Sequence, residues 1–150
     1  MLSPFASSAA LQARVIAENI GGGHVTFDAC TSPMVCVIAG LQVGSVGVTS
    51  SVAKEAGIKV IAGKAEGLTR ARYCDGKRIN IKLLFDSEKL IGAQVVSEED
   101  VKERINLISL AIKKEMGMDD LLRAERCFTP SLSPLIDPVI KAIENAKGGR

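Results

Sequence analysis

Arg70, Arg72, Lys77 and Arg78 all fall in the stretch Leu68 to Arg78, around Tyr73, the only tyrosine of the chain. Guanidinium and ammonium groups grip phosphate oxygens, so such a cluster suits a nucleotide-like anionic ligand. The same charges equally serve as a solvated sheet edge that discourages aggregation. The cysteines Cys30, Cys36, Cys74 and Cys127 form no Cys-x-x-Cys pair, and the lone histidine, His24, has no companion at zinc spacing. No metal site is expected, and free, mostly buried thiols in a reducing compartment are. Arg126 beside Cys127 favours a thiolate there, but an enzyme built on Cys127 or Cys30 would have no local acid–base partner. Gly40, Gly44 and Gly47 are not spaced as a dinucleotide fingerprint and no long helix follows them, so they read as turn and bulge glycines. The tail from Cys127 to Pro138 carries Phe128, Pro130, Leu132, Pro134 and Pro138 and is too proline-rich for a helix or a central strand. It predicts an extended path of low entropy.

These groups need a scaffold, and the strongest patterning runs from Ile79 to Met116. Ile79, Ile81, Leu83 and Phe85 alternate with Asn80, Lys82 and Leu84, the period of a strand with one buried face. A polar turn, Asp86 to Lys89, returns the chain into Leu90 to Val96, which is apolar on both faces except at Gln94. That composition predicts an interior strand of a sheet covered on both sides. Next, Ser97 and Asp100 have capping-box spacing, and Glu98 to Asp100 and Lys113 to Lys114 complement the two ends of a helix dipole, with Gly117 as the stop. Val101, Ile105, Ile108 and Ile112 form one apolar stripe, while Leu107, Leu110 and Ala111 widen it beyond what one sheet face covers. The surplus points to a second subunit, with the final helix of the same chain as the competing cover.

Elsewhere, Ser7 or Ser8 is expected to cap a helix through Ile20 that Gly21 to Gly23 ends. Its small residues either admit another backbone or flat ligand closely or simply favour helix. Thr26 to Thr31, Pro33 to Ala39 and Ile58 to Ala65 read as strands, and Thr49 as the cap of a short helix ending at Gly57. Asp119 or Asp120 is expected to cap a short turn. Asp137 and Pro138 make a cap and first-turn pair for the last helix.

With 150 residues, the chain holds one domain and at most a fragment of another. A formal charge of +2 and an aromatic content of 3% argue against nucleic acid as a partner. No segment is long enough to cross a membrane, and Arg14 and Glu18 arrive too early for a secretory signal, which makes the cytoplasm the expected compartment.

Three stretches together resemble the C-terminal dimerisation domain of the FAD-dependent pyridine nucleotide-disulfide oxidoreductases, in the branch of the NADH oxidases, coenzyme A disulfide reductases and persulfide reductases. Val43 to Thr49 leading into Ala53 to Ile58 is similar to the entry strand and short helix of that domain. Ile81 to Phe85 with Leu90 to Val96 is similar to its central hairpin, and Phe128 to Val139 to its tail. Pro4 to Ala6 followed by Gln12 to Ile20 resembles the last helix of the FAD domain that precedes it. The resemblance implies an α+β fold, an antiparallel sheet flanked by helices, with residues 1–23 as the terminal helix of an FAD domain and 24–150 as the dimerisation domain. By the same resemblance Ser7, Ser8 and Ala9 would form the flavin-facing helix start.

The resemblance further implies a homodimer that completes the active site of an oxidoreductase using FAD and NAD(P)H. Phe128, Pro130, Leu132 and Tyr73 would wall the partner's active site, and Arg70, Arg72, Lys77 and Arg78 would steer an anionic substrate such as coenzyme A. Phe128 stands where the branch carries a tyrosine, which keeps the aromatic wall and loses the hydroxyl. The dinucleotide fingerprint, redox cysteine and nicotinamide domain of the family have no counterpart in this sequence, so the FAD- and NAD(P)H-binding domains would belong to a parent or partner polypeptide. The alternative is a free-standing homodimeric binding or structural protein that has lost catalysis.

Overall fold

The computed structural model describes residues 3–148 and divides into two compact units between Ser32 and Pro33. The first unit contains one helix, α1 (Ala6–Ile20). Phe5 occupies its N-cap and no side chain caps it, so Ser7 and Ser8 lie inside the first turn instead of in front of it. Ser8 is buried, and its hydroxyl pairs with that of Ser3 at 2.6 Å. Gly22, at φ +94°, turns the chain out of the helix. The expected strand over Thr26 to Thr31 does not form; residues 23–33 carry no regular secondary structure, and Ser32 is left-handed at φ +50°. Asn19 fixes this segment by bonding both the N–H and the carbonyl of Val25.

The second unit is built on a five-stranded antiparallel sheet. Its strands are β1 (Met34–Ile38), β2 (Leu41–Gly47), β3 (Val60–Leu68), β4 (Arg78–Asp86) and β5 (Lys89–Ser97), in the spatial order β1-β2-β5-β4-β3. The helices are α2 (Ser50–Glu55), α3 (Val101–Lys113), α4 (Met118–Arg123) and α5 (Pro138–Gly148). The apolar stretch Leu90 to Val96 does occupy the middle of the sheet, between β2 and β4.

One face carries the core. Ile79, Ile81 and Leu83 of β4 and Ala93 and Val95 of β5 are fully or almost fully buried, and so are Val101, Ile105 and Ile108 of α3 and Val139, Ala142 and Ile143 of α5. α3 lies over β2 and β5, and α5 over β3 and β4. Both helices come close because glycine faces them: a Cβ on Gly44 would stand 2.5 Å from Ile105, and one on Gly63 would stand 1.9 Å from the Ala142 carbonyl oxygen.

The opposite face corrects the expectation of a sheet covered on both sides. Ser45, Gln94, Lys82 and Lys64 run across it in register, as do Val43, Val96, Asn80 and Glu66. Among the described elements of this unit, α2 roofs one end, with Lys82 bonded to Ser50 at 2.6 Å and the Val48 carbonyl seated over Gly92. Antiparallel sheets tolerate a solvated face, and the polar residues of this one were interleaved with enough apolar ones to read as buried. The cover for the surplus of α3 is likewise incomplete: Ala111 is buried, but Leu107 and Leu110 are 50% and 57% exposed.

Several ends differ from expectation. Ser97 does not cap α3; its hydroxyl accepts from Glu99 N–H at 3.3 Å, and the N-cap is Asp100, three residues later and in a left-handed conformation. α3 ends at Lys113, with Glu115 at φ +52°, and Gly117 is the N-cap of α4 instead of the stop of α3. Asp120 reaches back to the Gly117 N–H at 2.8 Å. Thr49 does cap α2, accepting from Val52 at 3.3 Å, and Asp137 caps α5, accepting from Val139 at 2.8 Å. Among the described residues no helix is long and apolar enough to cross a membrane.

The close approach of α5 to β3 makes a stability prediction. Gly63→Ala is expected to destabilise the protein by about 2–3 kcal/mol, since carbonyl and helix must shift together. Gly57→Ala, at φ +68° with open space around it, should lose only about 1–2 kcal/mol. Urea unfolding of both variants checks the order; a smaller loss at Gly63 would contradict the packing.

Candidate functional site

Where β3 leaves the sheet, the chain turns through a single 3-10 turn, Arg72–Cys74, and meets the proline-rich tail. The two segments are tied by a backbone bond, Ala71 N–H to the Pro130 carbonyl at 3.2 Å. The tail has its own internal turn: the Thr129 carbonyl accepts from Leu132 and Ser133, and the Ser133 hydroxyl donates to the Cys127 carbonyl at 3.2 Å. Between loop and tail lies a groove of about 380 Å³ lined by Arg70, Tyr73, Phe128, Pro130, Ile136 and Lys141, among others. Its walls are largely apolar, with two cations at the edges.

Tyr73, Phe128 and Pro130 therefore meet in one place with Arg70. Tyr73 is 82% exposed and Phe128 50%, which is unusual for large aromatic groups in so aromatic-poor a chain. Leu132 is not in this lining; it stands 71% exposed on the tail turn.

The basic cluster is divided. Arg70 Nη2 pairs with Glu99 at 3.0 Å, and its Nε donates to the Cys74 carbonyl at 2.7 Å. Glu99 also accepts from the buried Thr69 hydroxyl, which in turn accepts from the Lys77 N–H at 3.0 Å. This chain of bonds sets the loop's shape and spends part of Arg70's charge on Glu99. Lys77 pairs with Asp75 at 2.7 Å on the surface, an interaction that raises the lysine's pKa and lowers the aspartate's. Arg72 and Arg78 face a separate depression of about 450 Å³ beside Glu66 and Asn80.

Behind the groove sits a charge cluster. Arg104 of α3 bonds Asp137 at 2.9 Å and the Asp100 carbonyl at 3.1 Å, and Asp137 simultaneously caps α5. The Arg104 side chain is 11% exposed and its partner 18%. Arg126 donates to the Leu121 carbonyl at 3.2 Å; burial pushes its guanidinium below the usual value, and Asp137 opposes that shift. Arg104 thus locks the end of the tail to the start of α3. Its pairing with Asp100 is at helical spacing and readable in sequence, but the bond to Asp137 joins residues 33 apart and left no local signal.

Cys127 is exposed and the other cysteines are half-buried; all are free thiols. Among the described residues no group of three or more His, Cys, Asp or Glu side chains could hold a metal ion. Ser7 and Ala9 are exposed on the first turns of α1, whose leading N–H groups have no side-chain cap and so remain available to an acceptor.

Comparison with known proteins gives this geometry a context. The family described as pyridine nucleotide-disulphide oxidoreductase, dimerisation domain, matches residues 33–138. An NADH oxidase of Methanocaldococcus jannaschii is 37% identical over 147 residues, covering 97% of this chain and 33% of the relative. A solved NAD-dependent persulfide reductase from A. fulgidus superposes with a TM-score of 0.94 at 34% identity, covering all of this chain and 28% of that one. A Bacillus anthracis CoADR-RHD gives 0.92 at 26% identity, covering 99% and 27%. The chain thus spans about a third or less of the length of these proteins.

Asp137→Ala should remove a helix cap and leave the largely buried Arg104 with only the more distant Asp100 carboxylate at 3.6 Å, a loss of about 3 kcal/mol. The double variant Arg104→Met with Asp137→Asn should recover most of it in denaturant titration, because no unpaired charge remains and Asn retains the cap. Equal losses for the single and double variants would show that the ion pair is not the cause.

Proposed function

We propose that this chain, which belongs to the pyridine nucleotide-disulphide oxidoreductase dimerisation-domain family, pairs with a second copy and closes the active-site mouth of an FAD-dependent NAD(P)H oxidoreductase. The reading takes residues 1–23 as the terminal helix of a flavin domain and 24–150 as the dimerisation domain. The observation that carries it is the groove that brings Tyr73, Phe128 and Pro130 together at an exposed, rigidly held tail. Large aromatic side chains left bare on a pinned backbone suit a wall for something outside the chain.

In this reading the complete enzyme is of the NADH oxidase or coenzyme A disulfide and persulfide reductase type, acting in the cytoplasm. FAD, held mainly by polypeptide other than this chain, supplies hydride acceptance from NAD(P)H. Ser7 and Ser8 would present backbone N–H groups and a positive helix end to the flavin edge, while Ala9, whose N–H already donates to the Phe5 carbonyl at 3.1 Å, would only keep that edge sterically open. Phe128, with Pro130, Leu132 and Tyr73, would exclude water from the partner's site; it has no proton to give, so any proton transfer falls to other groups. Arg72 and Arg78, which face a depression of their own, are the freer members of the cluster for steering an anionic substrate, with Arg70 and Lys77 partly neutralised by Glu99 and Asp75.

The purified chain should sediment as a colourless dimer. Added to the flavin-binding two-thirds of the M. jannaschii NADH oxidase, truncated of the third this chain matches, it should restore NADH oxidation. Phe128→Ala should lower that restored turnover roughly tenfold without changing the dimer's mass, because only the wall is lost. A monomer at high concentration would refute the proposal.

A further inference from the structure

The polar face of the sheet holds a depression of about 400 Å³ whose lining includes a row crossing three strands in register: Lys64 of β3, Lys82 of β4 and Gln94 of β5. Directly opposed residues of an antiparallel pair have Cβ atoms about 4.5–5.5 Å apart, and like charges placed so repel each other. Lys64 and Lys82 are such a pair, and among the described residues neither forms an ion pair. Glu66, also in the lining, stands opposite Asn80 and bridges neither lysine. Lys82 donates to the Ser50 hydroxyl at 2.6 Å, which fixes the ammonium without neutralising it and leaves it two further N–H donors.

Gln94 supplies a second, independent observation. Its Nε2 is buried, and no group of the protein accepts a hydrogen bond from it. A donor shut away in that state is costly. Two opposed cations and an orphaned amide donor in one row share a single need, an acceptor that carries negative charge.

We propose that the row Lys64, Lys82 and Gln94 binds the phosphate group of a small phosphorylated molecule. The two ammonium groups grip phosphate oxygens through charge-assisted bonds, and the Gln94 amide donates to the same group. A phosphate dianion matches both lysines and cancels their repulsion, whereas a monocarboxylate leaves one of them uncompensated. The depression is larger than a phosphate alone fills, and Val96 and Asn80 line the remainder with one apolar and one amide side chain, which suits a small organic group. Glu66 lies where this depression adjoins the one faced by Arg72 and Arg78, and its carboxylate repels a second anionic group beside the first.

The test titrates the full, ¹⁵N-labelled chain with inorganic phosphate at constant ionic strength. The Gln94 side-chain amide resonances should shift and saturate with a dissociation constant of roughly millimolar order, and glycerol phosphate should bind more tightly than inorganic phosphate. Lys64→Gln and Gln94→Met should each weaken binding at least about fivefold, yet raise the urea midpoint in phosphate-free buffer, since one removes a repulsion and the other an orphaned donor. Lys102→Gln, which removes a lysine paired with Glu103 on α3, should leave the affinity unchanged. Shifts no larger than those from chloride, or an affinity that neither Lys64→Gln nor Gln94→Met alters, overturn the proposal. So does a urea midpoint lowered by both substitutions, which would mean that the protein itself satisfies these side chains. Equal affinity for succinate overturns the phosphate assignment, and shifts confined to the surroundings of Arg72 and Arg78 overturn the site.

Discussion

The distance between two helices and one sheet face governs this molecule. α3 and α5 share a single side of the sheet, and neither could lie so near if Gly44 and Gly63 bore side chains. Because the helices are drawn in close, Ile79, Ile81 and Leu83 are sealed from water by two neighbours at once. Such tight interlocking leaves core side chains little room to rearrange, so the unit behaves as a stiff platform. The tail departs from that platform just before α5, and its position is only as well defined as the helix start that Asp137 caps.

How much of this could be read from the residues alone follows the range of the interaction involved. β4 and β5 were legible because alternation is a local signal, and so were the caps at Thr49 and Asp137, where a side chain bonds a backbone group two or three residues away. Failures came where one local motif competed with another. Ser97 has the spacing of a capping box, yet its hydroxyl closes a turn on Glu99, and Glu99 is drawn off to Thr69 and Arg70. Thr26 to Thr31 has the composition of a strand but joins no ladder, and composition alone does not supply a pairing partner. Gly117 looked like a helix stop because glycine suits both the end of one helix and the beginning of the next.

The candidate site shows the same division. Tyr73, Phe128 and Pro130 could be nominated singly, but their meeting depends on one bond between Ala71 and Pro130, 59 residues apart in a sequence whose numbering carries no trace of it. The basic cluster looked like one unit and is three, because Glu99 and Asp75 each hold one member while Arg72 and Arg78 turn toward Glu66. Arg104 was missed as an organiser for a related reason: helical spacing exposes its bond to Asp100 and conceals the one to Asp137.

The single bond from Ala71 to Pro130 has a mechanical corollary. It clips the turn after β3 to the tail before α5, so neither segment is an independent arm. Displacing Tyr73 would drag on Phe128, and a shove at the tail would be felt among Arg70 and its companions. Whatever touches the cationic rim therefore also reports to the aromatic lip, through a linkage one peptide group wide.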